Sequence, residues 1–482
     1  MRRSILLFIA AAVAVTPAAA QRLVYLDRQD VAHAQREHVQ VVRELGGAET
    51  GPRAAYVESI GRRVAAYSGV ANPGQALHFT TLNSAVENAF SVPGGYVYVT
   101  RQLMTLMDDE SQLAFALGHE VGHIAANHAH IREEYAERSP FGWMGQIIGA
   151  IFGDRSVLRR ATLDLLSFSR EQEYQADQLG MSYMVGAGYD PAGAPALLAA
   201  LSRQSALQAR VLGRTNRQTP EWASTHPLSE NRMQRALQLA SASGHFGKGV
   251  RNRDVFLSEL EGIFVDDDPA QGVIDGPSFI HPDLRIQFRV PPGYLMSNGT
   301  HAVTISGSAG KAQFSGGRYS GSLDNYILAV FEQLTRGQLQ LAIPQPQHTI
   351  INGMPAAFTT ARVNASSGFI DASVVAYQWD PQRVYHFVML TPGGTGVGAF
   401  TPLVNSLRKI TPAEAAAIRP RVIHVVTVGP GDTAQSLAGR MAYRDFKLDR
   451  FLALNGLAPG ASLAPGQKVK LIVYGARRSQ GA

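Results

Sequence analysis

The spacing of apolar residues divides the chain into three parts. Residues 24–69 alternate apolar and charged positions at helical spacing, and the segment 46–52 separates two predicted amphipathic helices. From Leu77 onward, β-branched and aromatic residues flank Pro93-Gly94-Gly95, which predicts a pair of strands. Helical spacing then dominates from about 101 to 242. The first part is therefore predicted to be an α-rich domain with a small sheet.

Past residue 250 the pattern changes to extended runs separated by glycine, proline and asparagine. Runs such as LRIQFRV, HAVTISG and DASVVAYQW predict strands. Two helices are predicted between them, SLDNYILAVFEQL after the capping residue Ser322 and a second over residues 399–410. We therefore predict an α+β multidomain protein, with the α-rich domain at 21–250, an α+β domain at 251–412, and a linker with a small final unit at 413–482.

The first twenty residues have the pattern of a cleaved secretory signal. Arg2 and Arg3 precede an apolar run from Ile5 to Val15, and small residues follow up to Ala20. A membrane anchor is the weaker interpretation, because the run is shorter than the roughly twenty residues that span a bilayer. We expect export to the periplasm, cleavage near Ala20 and no membrane span in the mature chain.

Composition narrows the class of protein. The 482 residues are 45% hydrophobic and 17% charged, which is typical of a globular protein. The chain has no cysteine, so disulfides and a cysteine-linked lipid are excluded. The formal net charge is +6, but the basic residues are scattered, and we expect no nucleic-acid partner.

Candidate chemistry is concentrated in LGHEVGHIAANHAHIREE, residues 117–134. Asp109 and Gln112 have capping-box spacing and predict the start of a helix, whose apolar residues form one buried face. His119 and His123 lie away from that face and one turn apart, so both imidazoles can reach one metal ion. Glu120 beside them is the carboxylate that a zinc hydrolase needs to deprotonate water.

The other two histidines of this stretch have different expectations. His128 projects toward the apolar side of the helix and is predicted to be a packed or hydrogen-bonding residue. His130 lies roughly 10 Å too far along the helix to share the ion. Ala126 and Ala129 occupy the positions at which a metzincin has a glycine and a third histidine, which excludes that class.

A further ligand must come from elsewhere in the chain. In SREQEYQADQLG, residues 169–180, Glu173 and Asp177 are four apart on one helical face. The first can bind the metal while the second accepts the N–H of a ligating histidine. A solvated acidic helix is the alternative that this stretch alone leaves open.

Four stretches in this order, NAFSVPGGYVYVTRQL, HEVGH, SREQEYQAD and STHPLSENRM, carry a family resemblance. Over residues 25–245 the chain resembles the zinc metallopeptidases that include the HtpX heat-shock protease, the Oma-type mitochondrial protease and the CAAX prenyl protease, in a soluble periplasmic branch. The resemblance implies a gluzincin-like zincin domain with one Zn²⁺ per chain. It implies that His119, His123 and Glu173 are the zinc ligands, that Glu120 is the general base, and that Asp177 orients a ligating histidine by accepting its N–H.

The same resemblance implies two further elements of the site. Asn88, Ala89 and Phe90 would border the cleft and pair with an extended substrate, although a purely structural edge strand is equally consistent with them. His226 matches a family histidine near the metal, and Arg232 matches a basic position downstream. We hypothesise that His226 either polarises the scissile carbonyl or occupies the open zinc position at rest.

The final unit resembles a LysM module, through Gly431-Asp432-Thr433, Leu454-Asn455-Gly456 and Leu463-Ala464-Pro465-Gly466-Gln467. The resemblance implies a β-α-α-β fold that binds N-acetylglucosamine glycans of peptidoglycan. By position, the glycan-binding residues would be Gly431, Asp432, Thr433, Asn455, Gly456 and Leu457. A structural cap or a protein-binding unit is the alternative. Residues 251–412 contain no recognisable catalytic set and are similar to PsbP-like folds only in strand and helix order.

These observations predict an exported zinc metalloendopeptidase that acts on protein or peptide substrates in envelope protein quality control. Two alternatives remain open. One is a zinc hydrolase of peptidoglycan cross-links, which the final unit suggests. The other is a chaperone or scaffold whose metal cleft is self-blocked.

Overall fold

The computed structural model describes residues 23–128, 168–211, 226, 230–335, 341–365 and 368–476. The predicted signal at 1–20 and His130 lie outside these residues. Within the described ranges, no helix combines the length and apolar character needed to cross a bilayer. The mixed α+β, multidomain architecture predicted from the pattern is confirmed.

The first part of the chain is helical around a small sheet. Its strands are β1 His78–Leu82, β2 Ala89–Val92 and β3 Tyr96–Thr100, in the order β1-β3-β2. β1 is parallel and β2 antiparallel to β3, which confirms the predicted pair around Pro93. Its helices are α1 Arg28–Glu44, α2 Pro52–Ala65, α3 Pro73–Ala76, α4 Arg101–Leu106, α5 Glu110–Ala125, α6 Arg170–Gly186, α7 Gly193–Val211 and α8 Glu230–Ala242.

Helix α5 begins where the sequence predicts, but its surroundings differ. The Asp109 carboxylate caps it by accepting from the Gln112 backbone N–H. The expectation of a single buried face is wrong, because every residue from Glu110 to Ile124 is buried. The polar side of the helix packs against α6, while α2 and α7 cover the rest. Distant elements therefore enclose side chains that the helix alone would leave in water.

Glycines allow α5 and α6 to approach at backbone distance. A Cβ atom on Gly180 of α6 would lie 2.7 Å from the His119 backbone nitrogen. On α5, a Cβ on Gly118 or Gly122 would lie 3.1 Å from a backbone oxygen of α6. Because such contacts are too short for a larger residue to fit without movement, these glycines fix how closely the two helices pack.

The second part is strand-rich, as predicted. Its strands are β4 Phe264–Val265, β5 Val273–Asp275, β6 Ser278–His281, β7 Ile286–Arg289, β8 Leu295–Asn298, β9 Val303–Gly307, β10 Gly310–Arg318, β11 Gln347–Ile351, β12 Met354–Ala365, β13 Gly368–Asp380, β14 Arg383–Pro392 and β15 Arg408–Lys409. They form two sheets with the orders β11-β12-β13-β14-β10-β9-β8 and β15-β7-β6-β5. Its helices are α9 Arg253–Leu260, α10 Leu323–Thr335 and α11 Thr401–Ser406, with short 3₁₀ turns at Pro269–Gln271 and Gly398–Phe400.

Both helices predicted in the second part exist, but one is shorter than expected. The Ser322 hydroxyl accepts from the Asn325 backbone N–H at the start of α10, as predicted. The helix predicted over 399–410 ends at Ser406. Leu407 is extended, and the next two residues form β15, which pairs with β7. Pairing with a distant strand thus replaces the last turn of the helix.

The final unit has the order β-α-α-β and joins the core of the first part. Its elements are α12 Pro412–Ala417, β16 Arg421–Thr427, α13 Ala434–Gly439, α14 Lys447–Leu454 and β17 Lys468–Tyr474, with sheet order β17-β16-β4. Leu437, Phe451 and Leu471 belong to the same buried apolar cluster as Leu113 and Leu117 of α5. The domain boundaries at 250 and 412 stay predictions. The apolar cluster of the first part extends past residue 250 to Val265 and includes the final unit, whereas the α+β region between them has its own clusters.

Lys470 of β17 fastens the final unit to the loop that precedes α5. Its side chain is completely buried, and Nζ donates to the backbone oxygens of Thr105 and Met107 at 2.9 and 2.6 Å. The Asp108 carboxylate lies 3.2 Å from the same ammonium group. Burial, opposed by the charge of Asp108, lowers the pKa of Lys470 below its ordinary value. Three acceptors therefore converge on one buried cation.

Lys470→Met should lower the free energy of unfolding by about 3 kcal/mol, because it removes the donor of two buried carbonyls and the counter-ion of Asp108. Lys468→Met is the matched control on the same strand. Its side chain is 36% exposed and its ammonium lies 3.3 Å from Asp254, so this substitution should cost at most about 1 kcal/mol. Urea unfolding of both variants measures the difference, and equal losses would contradict the buried role of Lys470.

Candidate metal centre

Three elements bring four ligand-type side chains together. Helix α5 places His119 and His123 one turn apart, and α6 places Glu173 opposite them. A capping box between Ser169 and Gln172 fixes the start of α6 at Arg170, three residues before Glu173. His226 comes from the segment that precedes α8. All four side chains are buried, and one ligand atom of each lies within 4.8 Å of the others.

The distances between these atoms fit one small metal ion. His119 Nε2 lies 3.0 Å from His123 Nε2 and 3.2 Å from His226 Nδ1. Glu173 Oε1 lies 2.9 Å from His226 Nδ1 and 3.5 Å from His123 Nε2. Ligands about 2.0–2.1 Å from a tetrahedral zinc ion would be about 3.3–3.4 Å apart. Three imidazoles and a carboxylate are also ligand types that zinc accepts, so this set can hold such an ion.

Asp177 and Arg232 surround the ligand set on the α6 side. Asp177 Oδ1 lies 3.0 Å from His119 Nδ1, which makes it the acceptor of that N–H and directs Nε2 toward the other ligands. The Arg232 guanidinium donates to both oxygens of Asp177, at 2.9 and 2.7 Å, and contacts Glu173 Oε2 at 2.5 Å. One buried arginine therefore orients both carboxylates.

Burial and charge together set the protonation of these groups. Burial opposes ionisation of Glu173, but the charges of His226 and Arg232 outweigh it and hold its pKa well below the usual value. For Asp177, burial is likewise outweighed by Arg232, and the pKa is lowered. Burial keeps the pKa of His123 well below its ordinary range. An ionised carboxylate and a neutral imidazole are the forms that bind metal.

His119 differs from His123 in its charge environment. Burial lowers its pKa, but the hydrogen bond to Asp177 and the charge of Glu173 outweigh that effect, so the pKa is raised. In metal-free protein a proton therefore competes for the Nε2 atom of His119. Metal binding must displace that proton, which couples affinity to pH.

Glu120 is buried beside the ligand set and is held from two sides. The Ser91 hydroxyl donates to Glu120 Oε2 at 3.1 Å, and His226 Nε2 lies 3.4 Å from Oε1. His226 thus turns one nitrogen to the ligand atoms and the other to Glu120. The structure brings all six predicted metal-site side chains together, namely His119, His123, Glu173, Asp177, His226 and Glu120.

The predicted substrate strand lies directly next to this group. Asn88 precedes β2, and its backbone is bonded to Thr100. Ala89 and Phe90 pair with β3, and in the described part of the chain the other edge of β2 has no strand partner. A cleft of about 480 Å³ follows the end of β2, lined by Ser91 and Val92 together with His123 and residues 24–27, 29 and 30.

The residues predicted to bind glycan fall into two different environments. Gly431, Asp432 and Thr433 are near the surface, where Asp432 accepts from the Gly429 backbone N–H and Thr433 caps α13. Asn455 is buried, and its amide bonds internally to Phe451 and to both backbone groups of Lys470. Gly456, with φ of 64°, faces Asp108 and Arg203, and Leu457 packs against the shared core.

Two contacts of the site, made by Ser91 and Phe168, were not predicted from the sequence. A third residue, His128, was predicted only to be packed or hydrogen-bonding. Ser91 binds Glu120, and the Phe168 ring stacks on His123 with a centroid distance of 3.8 Å. Neither residue has a local signal, since both meet the site only through tertiary packing. His128 was expected to be packed or hydrogen-bonding, and it is, with its Nδ1 3.0 Å from His123 Nδ1.

Comparison with known proteins identifies the region that carries this site. Residues 52–240 match the sequence profile of peptidase family M48. The chain carries an M48 peptidase domain. This finding confirms the predicted metallopeptidase family for these residues.

Curated relatives match over less than half of the chain. The beta-barrel assembly-enhancing protease of Yersinia pestis is 31% identical over 199 residues, covering 39% of this chain and 38% of that protein. The same-named protein of Escherichia coli K12 is 29% identical over 201 residues, with the same coverage. The mitochondrial metalloendopeptidase OMA1 of Schizosaccharomyces pombe is 29% identical over 187 residues, 38% of this chain and 52% of that protein. The match thus spans at most about half of each relative.

Among solved structures, the cyanobacterial PsbP protein CyanoP from Synechocystis overlaps with 27% of this chain and 91% of its own. The TM-score is 0.23 and the sequence identity 9%. A likeness at this level supports no conclusion about the α+β region.

Proposed function

We propose that the protein is an exported zinc metalloendopeptidase that hydrolyses peptide bonds of misfolded or misassembled envelope proteins. The observation that carries this proposal is the buried group of His119, His123, Glu173 and His226, with Glu120 beside it, inside an M48 domain. In this proposal the M48 domain is a gluzincin-like zincin domain and holds one Zn²⁺.

His119, His123 and Glu173 would hold the zinc ion. When bound, such an ion lowers the pKa of a water molecule and polarises a carbonyl oxygen. Glu120 accepts a proton from the attacking water and delivers it to the leaving amine of the cleaved peptide bond. The Ser91 hydroxyl holds the Glu120 carboxylate in place through Oε2, which leaves Oε1 directed toward His226. Asp177 and Arg232 keep His119 and Glu173 oriented.

The substrate is proposed to bind as an added strand along Asn88, Ala89 and Phe90. Among the described residues β2 is at the edge of its sheet, which supports this, because an extended peptide binds by adding to an edge strand. Ser91 joins the same strand to Glu120, so a peptide paired with β2 would lie directly beside the general base. The neighbouring cleft gives room for its side chains.

His226 is proposed to occupy the fourth zinc position at rest. Its Nδ1 lies as close to His119 Nε2 and Glu173 Oε1 as the ligand atoms lie to one another. A substrate carbonyl would then have to displace this imidazole, and the displaced ring would remain next to Glu120. In the second hypothesis for His226, the displaced imidazole ring polarises the scissile carbonyl from that position.

Export and substrate class rest on two further observations. The pattern of residues 1–20 supports secretion to the periplasm. The relatives named as beta-barrel assembly-enhancing proteases support substrates among envelope proteins. For the final unit we propose a LysM-like module in which only the loop at Gly431, Asp432 and Thr433 is available to peptidoglycan, since Asn455 is committed to internal hydrogen bonds.

Glu120→Gln should keep one zinc ion per chain and reduce casein hydrolysis by about 100- to 10,000-fold, because the proton acceptor is lost while the ligands remain. Glu171→Gln, an exposed residue of α6, is the matched control and should remain fully active. Full activity of Glu120→Gln would contradict the mechanism. Release of muropeptides from sacculi in place of casein hydrolysis would favour the cross-link hydrolase, and rescue of a deletion strain by Glu120→Gln would favour the scaffold.

His226→Phe should retain zinc, because His119, His123 and Glu173 still bind it, while turnover changes. An increase in casein hydrolysis is expected if His226 blocks the fourth position. A decrease of about 100-fold or more is expected if it polarises the carbonyl. Unchanged turnover with zinc retained would contradict both roles, and loss of zinc would show that His226 is an essential ligand.

A further inference from the structure

His128 connects His123 to the surface of α6 through two hydrogen bonds. Its Nδ1 lies 3.0 Å from His123 Nδ1, and its Nε2 lies 3.1 Å from the side-chain oxygen of Gln175. The His128 side chain is buried, whereas Gln175 is exposed. Both contacts join ring nitrogens to polar atoms at hydrogen-bond distance. The position of the proton on the His123 ring is therefore coupled to its position on the His128 ring.

Those proton positions follow from the metal-facing end. A neutral imidazole carries one N–H, so His123 can offer the Nε2 lone pair to a metal only when its proton is on Nδ1. That N–H donates to His128 Nδ1, which must then be unprotonated. The His128 proton is therefore on Nε2, where Gln175 supplies an oxygen acceptor. Every donor in this direction meets an acceptor.

The opposite direction is incompatible with metal binding. A proton on His128 Nδ1 would force His123 to accept at Nδ1 and to carry its own proton on Nε2. That N–H would point at His119 Nε2, only 3.0 Å away, and would occupy the lone pair that a metal needs. Phe168, stacked on the His123 ring, restricts the plane in which the ring can lie.

We propose that His128, anchored by Gln175, is a positioning residue that fixes the metal-binding tautomer and orientation of His123. It does for His123 what the Asp177 carboxylate does for His119, but with a neutral acceptor. The role extends the proposed function and depends on the zinc site. It involves no contact between His128 and the substrate or the ion.

Zinc affinity, measured by chelator competition on the full-length protein, tests this role without reference to activity. His128→Leu removes the acceptor and should weaken zinc binding by about 10-fold or more. His128→Asn carries an amide oxygen near the position of Nδ1 and should restore most of the affinity. His128→Gln carries its amide near the position of Nε2, out of reach of His123, and should bind as weakly as the leucine variant.

The absorption spectrum of the cobalt-substituted protein should change in the same order, because it reports the orientation of the ligands. His386→Leu is the matched control. It removes a histidine that is bonded to Tyr326 in the second part of the chain, and zinc affinity should not change. The unfolding temperature of the metal-free variants separates a loss of fold from a loss of ligand positioning.

Equal zinc affinity in wild type, His128→Leu and His128→Gln would overturn the positioning role while leaving the zinc site intact. If His128→Leu does not fold, the asparagine and glutamine variants decide, and equal weakening in both would also overturn it. A wild-type protein that binds no stoichiometric zinc would overturn the proposed function together with this inference.

Discussion

The candidate site depends on the close contact between α5 and α6. The two helices meet at backbone distance because Gly118, Gly122 and Gly180 have no side chains to separate them. His119 and His123 on one helix can then reach Glu173 on the other without long side-chain extensions. A wider spacing would pull the carboxylate away from the imidazoles, and the set would lose its fit to one small ion.

That contact also creates an electrostatic requirement. Glu120, Glu173 and Asp177 are buried in the same region, and Arg232 is the buried guanidinium that contacts two of them. Among the described residues, if the imidazoles are neutral and the carboxylates ionised, three carboxylates and one guanidinium leave two negative charges in this region. Uncompensated buried charge is costly. A divalent cation between His119, His123, Glu173 and His226 would balance the site, and the raised pKa of His119 is the metal-free response to the same field.

The local sequence pattern was sufficient to predict the helix that carries the HExxH residues and the residue that caps it. The spacing of His119, Glu120 and His123 needs only helical geometry, and Asp109 caps the helix as expected. Family resemblance added His226, which has no local signal beyond a histidine before a proline. The complete burial of α5 was not predictable, because α6 covers its polar side and α2 and α7 cover the rest through contacts between distant segments.

In the final unit, too, the contacts with distant segments could not be predicted from the sequence. Its β-α-α-β order is what the resemblance to a LysM module implies, but its packing is not. Lys470 is a charged residue in an exposed-looking strand pattern, yet it is fully buried against Thr105, Met107 and Asp108. Asn455, which was predicted to bind glycan from its position in the LysM-like pattern, instead hydrogen-bonds to the Lys470 backbone inside the final unit. Both outcomes depend on which distant surface the unit meets.

The most direct test of the account is anomalous diffraction at the zinc absorption edge from crystals of the full-length protein. The account predicts one zinc peak about 2.0–2.1 Å from His119 Nε2, His123 Nε2, a Glu173 oxygen and His226 Nδ1. A structure with no zinc between these atoms, or with His226 turned away from the ion in the substrate-free protein, would contradict it.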